Sequence, residues 1–197
     1  AQRTNDPHVT LFVELQRGFA AATDASAEPR LNRALNEAEQ LGNERCVLVA
    51  EWLLGRRALL TGDAPRAVEL LRRAARATEA QGDPGTAAFI ATFESEALER
   101  CGFIDEATER AETALAAARR WGRPEQELVA LTRALELRSD AAFDPDDVAR
   151  LERLTRESQS PTARARAAGL LATRPPAQGR LRVAADGSHF CLERPLR

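Results

Sequence analysis

A chain of 197 residues that is 44% hydrophobic and 29% charged, with a formal charge of −2, can bury a core of its own. Its three cysteines, Cys46, Cys101 and Cys191, are odd in number and far apart, which excludes a disulfide framework and any CxxC metal or redox motif. There is no run of about 18 apolar residues to span a bilayer and no signal-peptide pattern, so a cytoplasmic chain without a membrane partner is expected.

All 28 basic residues are arginine; lysine, tyrosine and methionine are absent, the usage bias of a GC-rich bacterial coding sequence. The polar start from Ala1 to Asp6, without an initiating methionine, reads as part of a longer protein. The charge is uneven. Residues 161–197 carry seven arginines against Asp186 and Glu193, a local +5, which leaves −7 on residues 1–160. An acidic body argues against nucleic acid binding by that body.

In chain order, apolar periodicity predicts helices over 8–22, 28–41, 44–61, 64–81, 85–101, 105–121, 124–138, 146–158 and 161–173. Pro29, Pro65, Pro124, Pro145 and Pro161 all fall in first turns, where the missing N–H costs nothing. Gly42, Gly82 and Gly122 recur every 40 residues, as do Gly62 and Gly102. Ala27, Ala67 and Ala107 keep the same period, and so do Ala34, Ala74 and Ala114. Such columns signal an array of helix pairs, with short side chains where two helices must approach closely. Leu48, Leu54, Leu59, Leu70 and Leu71 mark the packed side, and Arg56, Arg57, Arg72 and Arg73 the other. Cys46 and Cys101 lie in apolar stretches and are expected to pack as small hydrophobes.

The segment Leu54 to Ala74 resembles the tetratricopeptide repeat family: Leu54 and Gly55 match its Leu-Gly pair, Gly62 its turn glycine, Ala67 its small contact residue, and Leu71 and Ala74 its inner face. Ala58 replaces the usual tyrosine, and in the next unit Ser95 replaces the first glycine. The 40-residue period is similar to the long-helix variant of MalT-type bacterial regulators. The resemblance covers roughly residues 8 to 160 and implies an all-α solenoid of antiparallel helix pairs, about four repeats with a capping helix, over residues 1–174. It also implies that the first helix of each pair lines a concave face. Carried onto this chain, the inner positions are Phe12, Gln16, Phe19, Trp52, Arg56, Phe89, Thr92, Glu96, Arg100, Thr132 and Glu136. Aromatic and arginine side chains are frequent interface anchors. The competing account of Phe12, Phe89 and Trp52 is packing between helices.

Residues 175–197 differ from this body. After Pro175 and Pro176, short apolar runs flank Asp186-Gly187, which predicts a β-hairpin of Leu181 to Ala184 against His189 to Leu192. Such a hairpin is marginal alone and is expected to open a following domain, one that could carry nucleic acid binding. His189 and Cys191 share a strand face but lack an orienting group and a pocket, so a catalytic dyad is not expected. His8 has no companion at ligand spacing, and Asp144, Asp146 and Asp147 read as a helix N-terminus rather than a metal site. The arginine pairs at 56/57, 72/73 and 119/120 read as solvated ion-pairing faces near Glu51, Glu69 and Glu109. Phosphate loops, dinucleotide fingerprints and hydrolase motifs are missing, so neither catalysis nor a cofactor is expected. The expected function is a protein or peptide interaction module of a bacterial signalling or transcription-regulatory protein. The rival readings are a small-molecule-sensing arm and self-association.

Overall fold

The computed structural model describes residues 6–20, 24, 26–138, 144–173, 180–183 and 190–193. They form α1 (Pro7–Ala20), α2 (Ala27–Gln40), α3 (Glu44–Thr61), α4 (Ala64–Gln81), α5 (Pro84–Arg100), α6 (Ile104–Trp121), α7 (Pro124–Leu137), α8 (Pro145–Glu157) and α9 (Pro161–Thr173). Two short strands follow, β1 (Arg180–Val183) and β2 (Phe190–Glu193), so the described body is all-α. The strands pair antiparallel, with Leu181 opposite Leu192 and Arg182 opposite Cys191. The expected turn at Asp186-Gly187 and His189 lie outside the described residues.

A two-residue punctuation mark sets the helix lengths. Gly42, Gly62, Gly82, Gly102 and Gly122 all have positive φ and stand 20 residues apart. Gly62, at φ 85°, shows why glycine is required: its N–H and that of Asp63 turn back to Leu59 and Ala58 carbonyls, a left-handed closure that a Cβ would strain. The next residue then starts the following helix. Asn43 accepts from the N–H of Cys46 at 3.1 Å, Asp63 from Arg66 at 3.2 Å, and Asp83 from Gly85 and Thr86 at 3.0 and 3.3 Å. Phe103 and Arg123 hold the same place without a side-chain cap.

Each helix packs on the next, and α1, α3, α5, α7 and α9 also touch in succession, whereas the even-numbered helices stand further apart and are linked by long ion-paired side chains, Arg66 to Glu28, Arg72 to Glu106 and Arg119 to Asp147. The result is two layers, an odd one and an even one. Even helices therefore bury a single stripe, such as Ala27, Leu31, Ala34 and Ala38 on α2, or Ala107, Ala111, Ala114 and Ala118 on α6. Interior odd helices are enclosed from several sides: α3 meets α1, α2, α4 and α5. That enclosure explains why Arg57, expected on the outer side, is buried, with its guanidinium 3.7 Å from Glu28.

Small residues permit the close approaches. A Cβ at Gly18 would lie 2.4 Å from Leu31, and one at Gly55 would lie 2.7 Å from Leu71. Ser95, in the unit where the glycine is replaced, is fully buried and donates to the Ala107 carbonyl at 2.7 Å. Leu48, Leu54, Leu59, Leu70, Leu71 and Cys46 are buried in the core, and Cys101 packs partly against it.

Candidate protein-binding face

The odd layer presents one face built by residues of α1, α3, α5, α7 and α9, and its two ends differ in chemistry. Towards the N-terminal ends of α5 and α7, aromatic rings form a row. Phe19 of α1 lies 6.1 Å from Trp52 of α3, and Trp52 lies 6.0 Å from Phe89 and 6.4 Å from Phe93 of α5. Phe89 meets Trp121, at the end of α6, edge-on at 6.2 Å. These tilted geometries are those favoured by ring quadrupoles. Arg56, one turn beyond Trp52, places its guanidinium 5.0 Å from the Phe19 ring centre and 6.0 Å from that of Phe93.

Two polar atoms in this row have no partner. Trp52 Nε1 and Arg56 Nη1 are both screened from solvent and find no hydrogen-bond acceptor among the described residues. Buried donors normally find one, because each unmade bond costs about 1–3 kcal/mol. Beyond Phe89 the row opens into a cleft of about 390 Å³ floored by Val129 and Ala163 and edged by Glu125, Gln126, Gln159 and Ser160.

At the other end the polar groups are satisfied from within. Arg133 of α7 is buried at 2% exposure and donates from Nε to Ser95 Oγ at 2.9 Å, from Nη2 to the Ser95 carbonyl at 3.0 Å, and from Nη1 to Glu99 at 2.8 Å. Arg166 of α9 forms two parallel bonds to Glu136 at 2.7 and 2.6 Å. Arg100 donates to Glu96 at 2.6 Å and to the Leu59 carbonyl of α3 at 2.6 Å.

The eleven sequence-predicted positions therefore separate. Phe19, Trp52, Arg56 and Phe89 are brought together. Glu136 pairs with Arg166 between α7 and α9, whereas Glu96 pairs with Arg100 one turn on within α5, and Arg100 reaches α3 through the Leu59 carbonyl. Thr92 and Thr132 are corrected outright as partner-facing residues: both are buried, and their hydroxyls donate to the carbonyls of Ala88 and Leu128 one turn back. Phe12 and Gln16 are exposed on α1 and contribute no ring contact to the row. Sequence reasoning missed Phe93 and Trp121. Phe93 follows Phe89 by four residues, a spacing that places both on one helix side. Trp121 carries no signal of its own; Gly85 does, since a Cβ there would lie 2.7 Å from the Trp121 ring.

The arginine pairs also find other partners than expected. Arg73 pairs with Glu51, as the spacing suggests, but Arg72 joins Glu106 and lies 3.6 Å from Glu94, and Arg119 lies 2.9 Å from Asp147 and 3.7 Å from Glu127. Glu51, Glu94 and Glu127 are buried on odd helices, so their pairs link the two layers, while Glu106 and Asp147 join Arg72 and Arg119 along the more exposed even layer. Their environments differ. Burial pushes the Glu51 carboxyl up against the pull of Arg73, whereas the hydrogen bonds of Arg150 hold Glu127 below the usual carboxylate range. Asp144 caps α8 through the N–H of Asp146 at 2.9 Å, and His8 Nδ1 lies 3.0 Å from Asn43 Nδ2. No helix among the described residues is long and apolar enough to cross a membrane. No protein-family model matches the chain, and no curated protein matches it in sequence.

Proposed function

We propose that this chain is a tetratricopeptide-like helical repeat module of a cytoplasmic bacterial regulatory protein, without catalytic activity of its own, that binds a segment of another protein along its odd-helix face. The observation that carries this reading is the pair of buried, unpartnered donors, Trp52 Nε1 and Arg56 Nη1, set in a row of four further aromatic rings. A polypeptide offers what such a face lacks. Its carbonyl or carboxylate oxygens would accept from the two donors, and an apolar side chain would occupy the cleft beside Phe89 and Val129. The test is capture of a partner on the immobilised chain, followed by titration of the purified partner into a Trp121→Phe background so that Trp52 alone reports. Saturable quenching that Arg56→Gln weakens at least tenfold, with helicity unchanged, is expected. A partner bound equally well by Arg56→Gln and Trp52→Ala would refute the assignment.

A second reading keeps the fold and replaces the partner with a small apolar inducer. It draws on a cleft of about 460 Å³ between α4, α5 and α6, lined by Ala75, Ala87, Ala91 and Ala117 and edged by Arg110 and Arg120. No ring of the aromatic row lines that cleft, which favours the first reading.

A further inference from the structure

The first and last helices of the array expose faces that the interior helices cover. On α1, Leu11, Leu15 and Gly18 turn inward, while Val9, Phe12 and Val13 are 59%, 56% and 40% exposed. With Gln16 they follow the i, i+3, i+4, i+7 spacing of a single helix side. Three bulky apolar side chains in a row on a solvated helix need a reason, since scattered single ones do not. On α9, the exposed residues Ala165, Ala168, Gly169 and Ala172 repeat the same spacing with short side chains, and a Cβ at Gly169 would meet nothing within 4 Å.

We infer that the α1 face is covered by α9 of a second copy of this chain, so that copies stack head to tail and continue the odd layer from one molecule into the next. Three observations select this occupant. The contact is continuous with an interface the chain already makes four times, since α1, α3, α5, α7 and α9 touch in succession. Bulky side chains seated over small ones are how each odd helix meets the even helix that follows it, at Leu31 over Gly18, Leu71 over Gly55 and Trp121 over Gly85, and the same fit is open to Phe12 over Gly169. Charge favours it modestly: Asp6 and Glu14 stand at α1, Glu14 beside Arg17, whereas α9 carries Arg164, together with the Arg166 held by Glu136, and no acid. The two surfaces are different patches, so the contact is heterologous and has no built-in limit of two copies.

The test uses the whole 197-residue chain in sedimentation velocity over a wide concentration range, together with Phe12→Glu and Gly169→Glu. Both positions are exposed, and an unchanged thermal midpoint verifies folding. The parent is expected to grow past a dimer as concentration rises, and each variant to remain monomeric. An equimolar mixture of the two variants should recover a dimer and stop there, because only one intact α1 face and one intact α9 face are available. A parent that stays monomeric throughout overturns the inference. So does a loss of association by Phe12→Glu alone, which would mean α1 on α1, and so does an association that neither variant changes. Trp52 and Arg56 take no part in this contact, so the peptide-binding reading can fail without affecting the result.

Discussion

The two ends of the odd-helix face use the same residue types to opposite effect. Around Arg133 every polar atom of the guanidinium is taken up by Ser95 and Glu99, and the residue is nearly inaccessible. Around Arg56 the guanidinium lies over two rings and one of its nitrogens has no acceptor among the described residues. An arginine that is satisfied internally holds helices together; one left short of acceptors is free to recognise something else. The contrast separates scaffold from candidate site on a surface where composition alone does not.

The comparison can be broken most forcefully at Arg133. Replacing Arg133 by Ala removes one partner from a buried charged network and is expected to cost about 3–5 kcal/mol, read as a large fall in the urea midpoint. Ser95→Ala, which strips one acceptor from that arginine and a donor from the Ala107 carbonyl, should cost about 1–3 kcal/mol in the same assay. Gly85→Ala forces the Trp121 ring off the first turn of α5; a loss of about 1–3 kcal/mol is expected, with a red shift of Trp121 emission as the ring moves into water. Acid titration sharpens the contrast between buried carboxylates. Glu127 is held below its ordinary value of 4.5, so its contribution is present above that value and is lost as pH falls through the lowered one. Glu51 is raised, so its contribution is present below its ordinary value and is lost as pH rises through the raised one. Glu127→Gln should therefore flatten the loss of stability on the acid side, and Glu51→Gln should not. The smallest effect belongs to Arg56→Met. It is expected to leave stability within about 0.5 kcal/mol of the parent or slightly higher, because an unmade hydrogen bond is removed, and to abolish partner binding.

Helix boundaries were legible in the sequence because they are written locally. The glycines at 20-residue spacing, followed by Asn43, Asp63 and Asp83, end one helix and begin the next, and eight of the nine predicted spans agree with the structure to within one residue at each end. The exception is α1, read as running to residue 22; it is described to Ala20, and residues 21–23 lie outside the described ones. The site was legible only in part. A repeat register says which side of a helix a residue occupies, and it named Phe19, Trp52, Arg56 and Phe89, whose side chains the structure brings together. It does not say how deeply the side is enclosed, and Thr92 and Thr132 are buried because α5 and α7 each have neighbours on several sides. Nor does it say which charges will meet across helices. Glu94 and Glu127 acquire arginines from both flanking even helices, contacts set by the stacking of layers and by no short spacing in the chain.

The contact pattern has a mechanical meaning. Among the described residues no helix touches another more than two places away in the chain, so nothing clamps the first helix to the last. Pulled from its two ends, such an array should come apart like a zipper, one helix pair at a time from whichever end yields first, with a sawtooth of modest force peaks in place of a single rupture.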